Sequence, residues 1–128
     1  MEKRNLGNTG TKVGALGIGA MSFSDFYGPT NTQESHAILK LALNSGVDHI
    51  DTAKVYGMGL SEERIGQFLN TLSPHDRQFF KIATKGGIDR KNFDDKGTVV
   101  FDNSKEFLTE ELDNSLKRLG VDCVELYY

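Results

Sequence analysis

The chain has 128 residues, enough for one domain with a modest core, and its 38% hydrophobic and 26% charged content is that of a folded globular protein. A net charge of −3, with basic residues scattered among acids, gives no electrostatic reason to expect nucleic acid or an anionic membrane as partner. One cysteine excludes an internal disulfide, and neither a secretory leader nor an apolar run of about 18 residues is present, so the sequence predicts a cytoplasmic protein.

Residues 4–13, RNLGNTGTKV, place Asn8, Thr9 and Gly10 between two short segments, which predicts a β-hairpin. ALGIGAM, residues 15–21, reads as a buried strand where backbones come close. Asn31 and Glu34 form a capping box for a helix spaced by Ile38, Leu41 and Ala42 and stopped at Gly46. VDHID, residues 47–51, is a second strand. Ser61 opens a second helix, with Ile65, Phe68, Leu69 and Leu72 on one face and Pro74 just beyond it. FFKIAT, residues 79–84, is a third strand.

Residues 86–103 are too long for a simple connection, and both a solvated hairpin and a loop covering a substrate fit them. Asn103 with Glu106 caps a third helix, striped by Leu108, Leu112, Leu116 and Leu119 and ending at Gly120. CVELYY, residues 123–128, is a fourth strand. Strands alternating with helices predict an α/β fold of right-handed β-α-β units around a parallel sheet.

In such a sheet the C-terminal strand ends converge on one face. Asp51 ends the second strand, Tyr56 lies in the loop after it, and Lys85 follows the third. A free phenol gives up its proton only near pH 10, but a neighbouring ammonium favours the phenolate. A carboxylate beside the lysine keeps that ammonium charged. The tyrosine can then act as a general acid toward an oxygen on which negative charge builds. Such charge builds when hydride attacks a carbonyl. Side chains supply no hydride, so a nicotinamide or similar cofactor is required.

Other chemistry-bearing residues receive plainer readings. Lys54, mid-loop, is expected to be an exposed charge. His49 shares a strand face with Asp51 and is expected to pack or to make a supporting hydrogen bond. His36 and His75 are expected at the surface, and Cys123 as a small buried hydrophobe. GIGAMS (17–22) and GMGLSE (57–62) nearly match G-x-G-x-x-G but lack its third glycine, which makes a Rossmann module the lesser α/β reading. No phosphate-cradling or metal-ligand spacing occurs.

HIDTAKVYGMGLSEERIG (49–66) followed by IATKGG (82–87) resembles the aldo-keto reductases, and the leading hairpin, LGIGAM and the LYY strand follow in family order. The resemblance implies an NADPH-dependent reductase of aldehydes or ketones on a TIM-type (β/α)8 barrel. This chain would be half of that barrel: an N-terminal β-hairpin, three β/α units and a fourth strand, over residues 1–128. It would make Tyr56 the proton donor, Lys85 its tuning residue and Asp51 the anchor of Lys85. Gly19, Ala20 and Met21 would line the nicotinamide end of the cofactor, with Asp51 near its ribose. The family's histidine would fall after one residue beyond Tyr128, and its main 2′-phosphate elements in later loops. The chain alone is therefore expected to be a weak or inactive fragment that self-associates through open sheet edges. A non-enzymatic half-barrel that acts by pairing with another chain is the alternative. Phe23, Phe26 and Tyr27 could line a substrate pocket or pack in the core.

Overall fold

The computed structural model describes residues 1–93 and 99–128. The turn chemistry at 8–10 closes the expected hairpin: β1 (Lys3–Asn5) pairs antiparallel with β2 (Lys12–Gly14). Asp48 ties that hairpin to the sheet. Its carboxylate accepts from the Gly14 amide at 2.6 Å and from Lys3 Nζ.

Four parallel strands follow in the order of the sequence: β3 (Gly17–Gly19), β4 (His49–Asp51), β5 (Lys81–Thr84) and, after the strand pair described below, β8 (Leu126–Tyr127). A Rossmann sheet reverses direction at a switch point. No reversal occurs among the described strands, so that reading fails. ALGIGAM is strand only over Gly17–Gly19; Ala20–Ser24 turn into a short 3₁₀ helix.

Helix α1 (Thr32–Ser45) has the expected capping box and ends at Gly46, but its buried face is Ser35, Leu39 and Ala42. Ile38 and Leu41 are exposed. Five apolar residues between 38 and 43 make too broad a stripe for spacing alone to choose the inward side. Helix α2 (Leu60–Asn70) buries Ile65, Phe68 and Leu69 as predicted. A short helix not anticipated from the sequence, α3 (Pro74–Arg77), begins at Ser73, whose hydroxyl accepts from the Asp76 amide at 3.1 Å. Its Ser-Pro start was the readable signal.

Within residues 86–103, β6 (Ile88–Phe93) pairs antiparallel with β7 (Val99–Phe101), and Asp102 N–H donates to Gly87 O at 3.0 Å beside the pair. Residues 94–98 lie outside the described residues, and with them the question of a covering loop. Helix α4 (Lys105–Leu119) is capped by Ser104, not Asn103: the Ser104 hydroxyl accepts from the Phe107 amide at 3.3 Å. Both residues are good caps. Glu111, Ser115 and Leu119 face inward. The fourth strand starts later than read, so Cys123 precedes it and is exposed rather than buried.

The core lies between sheet and helices, where Ile50 and Ile82 meet Leu39, Ile65, Phe68, Leu69 and Leu119. Among the described residues no helix is long and apolar enough to cross a membrane.

Candidate active site at the strand C-terminal ends

Parallel register brings the site residues together. Gly19 pairs with Asp51, and Asp51 with Ala83, two residues before Lys85. The Lys85 ammonium donates to Asp51 Oδ1, to Thr52 O at 2.9 Å and to Tyr56 Oη at 3.3 Å. An ammonium has three hydrogens, and all three are used. Tyr56 therefore accepts from Lys85, which leaves its own hydrogen free to be donated elsewhere.

Burial pulls the Lys85 pKa down, but hydrogen bonds to Asp51 and Tyr56, and the attraction of both, reverse this and hold it above 10.5. The ammonium is thus a fixed positive charge at neutral pH. The Asp51 and Lys85 side chains remain 35% and 31% exposed, so a ligand can reach them.

Tyr56 owes its position to the turn after it. Gly57, Met58 and Gly59 have φ of 66°, 55° and 105°. Three successive left-handed residues swing the chain from Tyr56 straight into α2, and glycine takes this conformation without the clash of a Cβ. At Gly57 a Cβ would also meet Ser24 Cβ at 2.8 Å.

Behind the trio lies a layer of buried polar contacts that sequence reasoning missed. Thr52 Oγ1 lies 2.9 Å from Ser61 Oγ, which donates to Ala20 O at 2.8 Å. Ser61, in the first turn of α2 as expected, also ties the first two β/α units together. Glu62 is fully buried; it accepts from Thr84 Oγ1 at 2.6 Å and from Arg118 Nε at 2.7 Å. Lys54, expected to be exposed, is buried and lies 2.8 Å from Glu111 of α4. Burial, then the charges of Glu111 and Glu62, push the Tyr127 phenol above its usual value.

The other expected positions divide. Gly19 is exposed, and a Cβ built on it would meet nothing within 4 Å. Met21 is half-buried, whereas Ala20 is wholly inside the core. Phe23 is core, while Phe26 and Tyr27 stand out from the surface, edge to face at 5.1 Å. The Tyr128 ring, not singled out by the sequence, lies 5.6 Å from Lys85 Nζ. His49 donates to the neighbouring strand at Lys81 O, 3.1 Å away, a supporting bond remote from the trio. His36 is half-buried, bonded to Arg64 O at 3.0 Å, rather than a surface residue; His75 is exposed. A groove of about 600 Å³ lies at the start of β5, bounded by Arg77, Lys81 and Cys123, away from this chemistry. No group of three or more metal-ligating side chains occurs among the described residues.

Fold and site together define an α/β-barrel sheet carrying a lysine-held phenol and a carboxylate at its strand ends. The profile of the aldo/keto reductase family matches residues 15–128. The chain is 34% identical over 125 residues to an aldo-keto reductase of Schizosaccharomyces pombe named for NADP(+), covering 98% of this chain and 35% of that protein. It is 34% identical over 128 residues to L-galactose dehydrogenase of Arabidopsis thaliana, covering 100% of this chain and 37% of that one. Among solved structures, the holo form of an aldo-keto reductase from Bacillus halodurans matches with TM-score 0.80 and 32% identity, over 99% of this chain and 39% of that chain. The chain therefore belongs to the aldo/keto reductase family, and its parallel sheet is half of a (β/α)8 barrel. It spans about a third of the length of these curated relatives.

Proposed function

We propose that this sequence serves an NADPH-dependent reductase that converts an aldehyde or ketone to an alcohol, with Tyr56 as proton donor. The chemistry that a bound NADPH supplies is hydride delivery to the carbonyl carbon. Gly19 and Asp51 suit such a cofactor. They are adjacent in register, the space a Gly19 side chain would take is open, and Asp51 offers an acceptor for a ribose hydroxyl.

The rest falls to the chain's own groups. Tyr56 passes its proton to the carbonyl oxygen, so the product is a neutral alcohol and the tyrosine becomes a phenolate. The Lys85 ammonium, already donating to that oxygen, offsets the new charge without moving. Asp51 keeps the ammonium charged and aimed. Water then returns a proton to Tyr56. The observation that carries this reading is the 3.3 Å contact between Lys85 Nζ and Tyr56 Oη on an open face.

The test is NADPH consumption with a reactive aromatic aldehyde. Tyr56→Phe is expected to lower kcat by about 10²–10⁴-fold while NADPH binding, followed by its fluorescence, persists. Full turnover by that variant would refute the assignment.

A second reading draws on the sheet itself: among the described strands β3 and β8 each pair on one side only, and Leu16, Ile38 and Leu41 are exposed. In that reading the chain acts by associating with another through these edges. It requires concentration-dependent mass in light scattering together with absence of turnover and NADPH binding. A single monomer mass at every concentration removes it.

A further inference from the structure

Lys54 lies in the segment that joins Asp51 to Tyr56, yet its side chain leaves the site. It runs under the strand ends to α4 and meets Glu111 at 2.8 Å, with side-chain exposures of 8% and 11%. An ion pair so deeply removed from water is not a surface ornament. The contact is one of charge alone, since Glu111 Oε2 completes no hydrogen bond, and removing either partner would leave the other charge buried and uncompensated. Both partners are therefore constrained, and one of them belongs to the turn that sets Tyr56.

The other long-range side-chain ties of that turn are at its two ends, where Lys85 reaches Thr52 O and Tyr56 Oη and Ser61 meets Thr52 Oγ1. The Thr52 amide bonds to Ala83 O at 2.9 Å and belongs to the sheet. The Tyr56 amide bonds only locally, to Ala53 O at 3.1 Å. Between these points Lys54 supplies the long-range side-chain link. On the other side of the turn, Arg118 of α4 approaches Gly59 so closely that a Cβ there would meet its Cδ at 2.7 Å. Helix α4 thus flanks the segment on both sides, with Glu111 facing Lys54 before Tyr56 and Arg118 lying close to Gly59 after it.

We propose that Lys54 and Glu111 are a positioning pair: their ion pair ties the Tyr56 turn to α4 and holds the phenol within reach of Lys85. The proposal rests on the reading of Tyr56 as proton donor, but its structural half can be tested without any turnover.

Amide hydrogen exchange of the full chain reads it directly. In Lys54→Met the Tyr56 amide is expected to exchange at least about tenfold faster, while the Lys81 amide, bonded to Asp48 O in the sheet, changes little. The exchanged pair Lys54→Glu/Glu111→Lys restores the tether and slows the Tyr56 amide again. Should Lys54→Met fail to fold, Lys54→Met/Glu111→Met is read in the same way, because it buries no charge. Equal acceleration at Tyr56 and Lys81 would mean a merely stabilising contact and would overturn the proposal. So would an unchanged Tyr56 amide, or no recovery in the charge-exchanged variant.

Reductase assays run in parallel separate the two claims. Where wild-type turnover is present, Lys54→Met is expected to lower kcat about tenfold or more with KM little changed; loss of affinity alone counts against positioning. Where this chain alone shows no turnover, the exchange result decides the tether by itself.

Discussion

Gly66 sits in the middle of α2, facing α4, and Gly66→Ala sets two effects against each other. Alanine is the better helix former and restricts the unfolded chain, together worth about 1 kcal/mol in favour of the variant. But a Cβ at that position would stand 2.1 Å from the Arg118 carbonyl oxygen and 3.0 Å from the Leu119 carbonyl carbon. Both are backbone atoms, so no rotamer change relieves the contact. Reaching even 3.0 Å needs a movement of 0.9 Å (3.0 − 2.1) by a helix that carries buried Leu119. Overpacking in a close-packed core costs about 1–3 kcal/mol, with a shifted backbone at the upper end. Clash outweighs propensity, and the net loss is about 2 kcal/mol. With a urea m-value of roughly 1.5 kcal/mol/M for a chain of this size, the midpoint falls by about 1.3 M at unchanged m. A midpoint that rises, as helix propensity alone demands, would refute the close approach of α2 and α4.

Two further outcomes follow from the same geometry. Ser104→Ala is expected to cost about 1 kcal/mol by the same urea measurement, and Asn103→Ala distinctly less; the reverse ranking would return the cap to Asn103. Burial raises the Asp48 carboxyl, but the Lys3 hydrogen bond, the Gly14 amide and the Lys3 charge bring it below its usual 3.8. A depressed carboxyl contributes stability that is present above the unfolded pKa and is lost as pH falls through the folded one. Stability should therefore drop as the pH passes below 3.8, and Asp48→Asn should flatten that part of the curve. An unchanged acid slope in the variant would contradict the link between hairpin and sheet.

What was legible in the sequence, and what was not, follows the range of the interactions concerned. Asp51 and Lys85 were readable because each stands at the end of a strand segment, and parallel strands bring such ends to one face. The helix starting at Asn31 and the stops at Gly46 and Gly120 are local motifs. Lys54 was misread because its burial depends on where α4 lands, which nothing near residue 54 announces. Glu111 and Ser115 were hidden by a leucine stripe that predicted the helix and drew attention from its polar inward face. Cys123 was placed inside because the strand was started three residues early, and an apolar run does not mark where pairing begins.

The polar layer beneath the strand ends has a physical purpose that an apolar layer could not serve. Glu111, Ser115 and Arg118 follow one face of α4 at intervals of four and three residues. They reach Lys54 directly and Thr84 through Glu62. Apolar packing is tolerant of small slides and of exchange among similar shapes. A hydrogen bond of 2.6 Å from Thr84 Oγ1 to a fully buried carboxylate is not, because a slide of 1 Å leaves a buried acceptor unmet. Thr84 is the residue before Lys85, and Lys54 is two before Tyr56. The directional contacts thus fall on the neighbours of the two groups to which the proposed proton transfer is assigned. The apolar core holds the sheet together, and the buried charges tie its strand ends to α4.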